Sequence, residues 1–84
     1  MLKDKIALMP GRVRISYRGC GEQHLADQRR FEARYGVRIA ETRDAGFDAN
    51  RIVLLEDVET GERASVNGFH SAWELYIYPQ QVAS

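Results

Sequence analysis

Cys20 and His24 are the residues whose types and spacing come nearest to catalysis. Cys20 lies between two glycines, ahead of a segment with helical character, where the positive end of a helix would lower a thiol's pKa. His24 lies one turn further on, within reach as a base. No orienting acid or oxyanion arrangement accompanies the pair, and the same residues suit a small side chain in a tight turn. The chain is therefore read as non-catalytic, with no catalytic residue assigned. Adding His70 gives three candidate metal ligands at a spacing that matches no site type and lacks a fourth partner, so no metal and no cofactor are expected. Gly19-Cys20-Gly21 is a bare G-x-G without the later glycine of a phosphate loop, and no small-molecule substrate is expected.

The arginines carry a different chemistry. From Arg12 to Arg18 the residues alternate, with Val13, Ile15 and Tyr17 on one face and Arg12, Arg14, Ser16 and Arg18 on the other. That is a strand with one buried and one basic, solvated face. Arg30 and Arg34 point away from the apolar stripe of the following helix. A partner-binding surface made of Arg12, Arg14, Arg18, Arg30, Arg34 and Tyr17 is the expectation, since arginine makes bidentate contacts with carboxylates and phosphates. The partner is then an acidic patch on a larger protein or ribonucleoprotein, or a nucleic acid whose bases stack on Tyr17, Tyr35 or Phe47. The aromatics Phe69, Trp73, Tyr76 and Tyr78 have two readings: Trp73 and a neighbour or two as core, the preferred one, or an exposed interface patch.

The charge is uneven along the chain although the net charge is zero. Through Arg38 there are nine basic and four acidic residues, a balance of +5; from Ile39 onward three basic and eight acidic give −5. Either the halves neutralise each other on folding or a segregated surface meets a charged partner.

Several elements must position these residues. The run Ile52–Leu55 is apolar at successive positions and reads as a central strand covered on both faces. With Glu59-Thr60-Gly61 as a three-residue turn, it predicts a hairpin of strands 51–58 and 62–67, Gly61 at positive φ, Asp57 opposite Arg63 and Leu54 opposite Val66. Glu22 to Tyr35 predicts a helix whose face is His24, Leu25, Gln28, Phe31 and Tyr35, stopped by Gly36 and lying at the side or end of the sheet. Val37–Arg43 predicts a further strand, followed by a loop over 44–50. Asn67-Gly68 predicts a turn, Ser71-Ala-Trp-Glu74 a capping box opening one helical turn, and Tyr76–Tyr78 a last strand ended by Pro79.

Eighty-four residues, 44% hydrophobic and 29% charged, predict one globular domain over 1–84, with 79–84 a loose tail. No apolar run approaches the roughly 20 residues of a membrane span. The first ten residues are too poor in apolar side chains for a signal peptide, and a single cysteine excludes an internal disulfide. A cytoplasmic protein without membrane association is the expectation.

The order strand, long excursion, strand, loop, strong hairpin, helical turn, last strand resembles the small SH3-like barrels. Pro10-Gly-Arg-Val-Arg-Ile15 with Arg18-Gly19 resembles the opening of a KOW-type module. The resemblance implies a small antiparallel, strongly curved or partly closed sheet of four to five strands. With the helix read at 22–35, which departs from the compact family plan, the expectation is an α+β fold with one helix inserted after the first strand. The resemblance assigns no functional residue. The resulting expectation is a non-catalytic protein-binding module acting as adaptor, assembly factor or small inhibitor, of the kind phages and mobile elements encode. The alternative is a small RNA- or DNA-binding β-barrel using an arginine-rich face.

Overall fold

Alternation sets the sheet. In the computed structural model, which describes residues 1–46 and 48–83, the strands are β1 (Val13–Ser16), β2 (Val37–Asp44), β3 (Asn50–Asp57), β4 (Arg63–Ser71) and β5 (Glu74–Val82). They form one five-stranded sheet in the order β1-β5-β4-β3-β2, with every pairing antiparallel. The sheet curls into a half-barrel. Its inner face carries Ile15, Val37, Val53, Leu55, Val66, Leu75 and Ile77, all buried. Leu2, Met9 and Phe31 complete that core from outside the sheet.

Two helices, and the turn that follows the first, supply those residues. Helix α1 (Leu2–Ala7) precedes β1, and α2 (Ala26–Tyr35) follows a 3-10 turn at Gly21–Leu25. The expectation of a single helix missed α1, although Leu2, Ile6 and Met9 recur at helical spacing. Helix α2 ends at Gly36 with φ 65°, in the left-handed region where glycine has no Cβ penalty. Phe31 is the buried member of its stripe, while Leu25, Gln28 and Tyr35 are half-buried and His24 is exposed.

The central hairpin forms, with its register moved by one residue. Gly61 has φ 79°. The pairs are Glu56↔Arg63, Leu54↔Ser65 and Val53↔Val66, in place of Asp57 opposite Arg63 and Leu54 opposite Val66. Four residues, Val58 to Gly61, fill the loop, closed by Asp57 N–H donating to Glu62 O at 2.8 Å and Gly61 N–H donating to Asp57 O at 2.8 Å. In this register Glu56 faces outward between Arg38 and Arg63, while Asp57 turns inward.

Three turn signals were misleading. Asn67-Gly68 lies inside β4: a Cβ at Gly68 would come within 2.8 Å of Val53 Cγ2 and 3.0 Å of Tyr76 O, so the glycine serves close strand approach. Ser71–Glu74 is a tight β4–β5 connection through Ala72 and Trp73, with Ala72 at φ 49°, and no helical turn precedes the last strand. Pro79 does not end β5. The register between β4 and β5 shifts between Val66↔Val82 and Asn67↔Tyr78, so Pro79 sits in a bulge where its missing N–H leaves no ladder bond unmade. Nor are residues 79–82 a loose tail: Pro79 is buried, and Gln80 Nε2 donates to Ile6 O and Met9 O, both at 2.9 Å, fastening the end of α1.

Candidate functional site

The two edge strands, β1 and β2, flank the open side of the half-barrel, and α2 occupies that gap. Its acidic side chains close both edges. Asp27 Oδ2 accepts from Ser16 N–H of β1 at 3.0 Å, and Glu32 Oε2 accepts from Ile39 N–H of β2 at 2.8 Å. Each satisfies an outward-pointing strand amide that would otherwise be open to pairing with another chain. Tyr17 joins the same junction, its hydroxyl donating to Gln28 Oε1 at 2.9 Å. Burial, then the nearby Glu32, raises the pKa of that phenol.

Seating α2 beside β1 brings three of the arginines together. Arg14, Arg30 and Arg34 line a groove of about 250 Å³ whose apolar wall is Val13, Phe31 and Tyr35. Arg30 Nη1 lies 2.7 Å from Asp27 Oδ1, and Arg14 pairs with Glu74 on the neighbouring strand. That pairing, hydrogen bond first, raises the Arg14 pKa. Arg34 has no carboxylate within 4.0 Å among the described residues, and its guanidinium lies 5.5 Å from the Tyr35 ring centre. The groove is thus lined by three guanidiniums and one carboxylate, Asp27, a net positive set beside an apolar wall.

The other expected site residues lie elsewhere. Tyr17 and Arg18 line a separate shallow hollow of about 220 Å³ with Gly19 and Trp73. Tyr17 N–H donates to Trp73 O at 2.7 Å, which holds the β4–β5 turn against β1. Arg12 lies over the outer face of the sheet, its guanidinium 5.2 Å from the Tyr76 ring centre. Arg12, Arg14, Arg18, Arg30, Arg34 and Tyr17 are therefore not one continuous site: three share the groove, two share the hollow and one belongs to the sheet face. Phe47, expected as a stacking residue, lies outside the described residues.

Trp73 reverses its preferred reading. It is 62% exposed, at the tip of the turn. Its position in a two-residue connection sets the indole at the rim of a shallow hollow beside Tyr17 and Arg18, whereas the core is filled by aliphatics, Met9 and Phe31. A sequence signal existed: Ser71 and Glu74 are cross-strand partners at the mouth of a hairpin, and that spacing is common to a capping box and a two-residue loop.

The charge halves interlock in part. Lys5, Arg14 and Arg38 of the first half pair with Asp57, Glu74 and Glu56 of the second. Arg12, Arg18 and Arg34 find no such partner among the described residues. On the catalytic candidates, Cys20 is exposed, and His24 Nδ1 lies 2.6 Å from Gly21 O, a contact that engages this nitrogen with its own turn as a donor. No cluster of three metal-ligating side chains occurs among the described residues, and no described helix is long and apolar enough to cross a membrane. Comparison with protein-family models, curated proteins and solved structures gives no match to this chain.

Proposed function

We propose that this protein is a non-catalytic cytoplasmic binding module that acts by occupying an acidic surface of a larger protein or ribonucleoprotein, as an adaptor, assembly factor or small inhibitor. The observation that carries this reading is the groove between β1 and α2, where Arg14, Arg30 and Arg34 stand around an apolar wall. Guanidinium groups beside apolar surface suit a partner presenting carboxylates next to a hydrophobic side chain. Trp73 and Arg18 form a second, separate exposed spot at the β4–β5 turn, and tryptophan and arginine are residue types enriched where binding energy concentrates. Kinship with SH3-like barrels belongs to the same proposal. It is supported by the β2–β5 meander with β1 returning beside β5, and the fold departs from that plan where α2 fills the gap.

The test is a comparative capture from host extract using the wild-type protein and the Arg30→Glu, Arg34→Glu double variant. Lys3→Glu with Arg43→Glu serves as a charge-matched control, because neither residue lines the groove. A protein held by wild type and control, and bound at least roughly tenfold more weakly by the groove variant, about 1.4 kcal/mol, is the expected result. Identical capture and affinity for all three contradict the assignment.

A further inference from the structure

The outer face of the sheet bears a second set of groups, distinct from the apolar wall of the groove. Strand alternation places Ile52, Leu54, Phe69, Tyr76 and Tyr78 there, each partly exposed. The core residues of both helices lie with the inner face, so this side carries aromatic rings without a helix over them among the described residues. Phe69 and Tyr76 are cross-strand partners on β4 and β5, and Tyr78 stands two residues along β5, about 7 Å further on. Arg12 already rests on the Tyr76 ring. Arg12, Arg14, Arg38, Arg43 and Arg63 share this side with Glu41, Glu56 and Glu74, a balance of +2.

We infer that this face binds single-stranded nucleic acid, with bases stacking on Phe69, Tyr76 and Tyr78 and the phosphates held by the flanking arginines. Stacking needs a flat π-surface that sequence-independent bases can meet, and the phosphates need cations at its border. All three glutamates are already matched by arginines: Glu74 by Arg14, Glu41 by Arg43, and Glu56 by both Arg38 and Arg63. The positive balance favours a polyanion over a second copy of the same face, which would bring like charges together. The inference shares only Arg14 with the groove reading, and that arginine is held by Glu74; the stacking residues and Arg12 lie outside the groove, so either reading can fail alone.

The experiment is fluorescence anisotropy with a short labelled oligouridylate, its DNA counterpart and a duplex of equal length, at about 50 and about 200 mM salt. The single strands are expected to bind with an affinity that falls by roughly the −0.7 power of salt for each phosphate neutralised. The duplex, whose bases are already stacked, is expected to bind more weakly. Phe69→Leu with Tyr76→Leu, which keeps apolar side chains on the sheet, should weaken single-strand binding roughly tenfold. Arg12→Gln should reduce both affinity and salt slope, while Arg30→Glu with Arg34→Glu leaves oligonucleotide binding within a few-fold. Photocrosslinking should place the oligonucleotide on β4 and β5, which decides the matter if the aromatic variant fails to fold. No binding, equal binding of duplex, a crosslink confined to α2, or polyglutamate displacing the oligonucleotide with the aromatic variant unaffected would each overturn the inference.

Discussion

Lys5 and Arg34 are both long cations on helices that flank the same sheet, and they meet opposite surroundings. Lys5 Nζ touches three acceptors: Asp57 Oδ1 at 2.8 Å, Gly36 O at 3.0 Å and Glu59 Oε1 at 3.2 Å. Asp57 itself is 0% exposed, takes a further bond from Glu59 N–H at 2.9 Å, and has its other oxygen, Oδ2, buried without a protein donor. Arg34 faces the groove, with no carboxylate in reach among the described residues. The α1 junction therefore uses its cation to hold a buried carboxylate, whereas on the α2 flank Arg29 and Arg30 pair with the exposed or half-exposed Glu22 and Asp27, and Arg34 is left available to another molecule. What separates a structural charge from a binding charge here is the burial of its partner rather than its own type.

The largest effect is expected at the α1 junction. Lys5→Met leaves the Asp57 carboxyl buried and without its cation, and should lower the urea midpoint more than any arginine substitution on α2. Adding Asp57→Leu should recover part of that loss, and a double variant no better than Lys5→Met would show that the pair is not the reason for it. Acid should act through the same junction. The Lys5 hydrogen bond, then the Glu59 amide, holds the Asp57 carboxyl below its ordinary value. Its contribution is complete above the unfolded carboxyl's pKa and is lost as pH falls through the lower folded value, so wild type should weaken below about pH 4. Asp57→Asn should be less sensitive to acid, though not flat, because Glu56 is also held low by Arg38 and Arg63. Lys5 is raised, first by its bond to Asp57, so its contribution persists until pH rises through the folded lysine value.

A middle-sized effect is expected where α2 meets the sheet edges. Asp27→Ala or Glu32→Ala removes a charged acceptor from a strand amide, worth about 1.5–3 kcal/mol each by chemical denaturation. The double variant should also self-associate as protein concentration rises, because both edges then offer open amides. Sedimentation that stays monomeric would show that α2 covers the edges without its carboxylates. Smaller still, Arg30→Glu with Arg34→Glu should change stability by less than about 1 kcal/mol. Trp73→Ala should do the same while weakening partner capture. Cys20→Ser should leave both stability and binding unchanged within about 0.5 kcal/mol, and loss of function in a stable Cys20→Ser protein would restore a role for the thiol.

Features set by local pattern were readable in the sequence. The 12–18 alternation gives β1 its buried Ile15, Gly36 stops α2 as its position requires, and Gly61 takes the left-handed turn. Features set by distant partners were not. Nothing near Asp57 announces that its counter-ion is Lys5, so charge pairing across the hairpin favoured the wrong register by one residue. Pro79 and Gly68 are breakers by local rule, and only the bulge and the close approach of Val53 explain them inside strands. The site was legible in the same measure. The arginines on β1 and α2 were visible as two outward faces, and their convergence depends on α2 seating beside β1, which the sequence does not encode locally. The partly exposed aromatics of β4 and β5 were visible only in the less favoured reading, an exposed patch, because Trp73 and a neighbour or two were preferred as core.

The contrast between the two flanks is tested most directly by NMR titration of isotopically labelled protein with a synthetic peptide of alternating glutamate and leucine. Amides of β1 and α2, and the guanidinium signals of Arg14, Arg30 and Arg34, are predicted to shift together. The same titration of the Arg30→Glu, Arg34→Glu variant should be silent, with an otherwise native spectrum. Shifts concentrated in α1 and the 57–62 turn, or an undiminished response in the groove variant, would contradict the account.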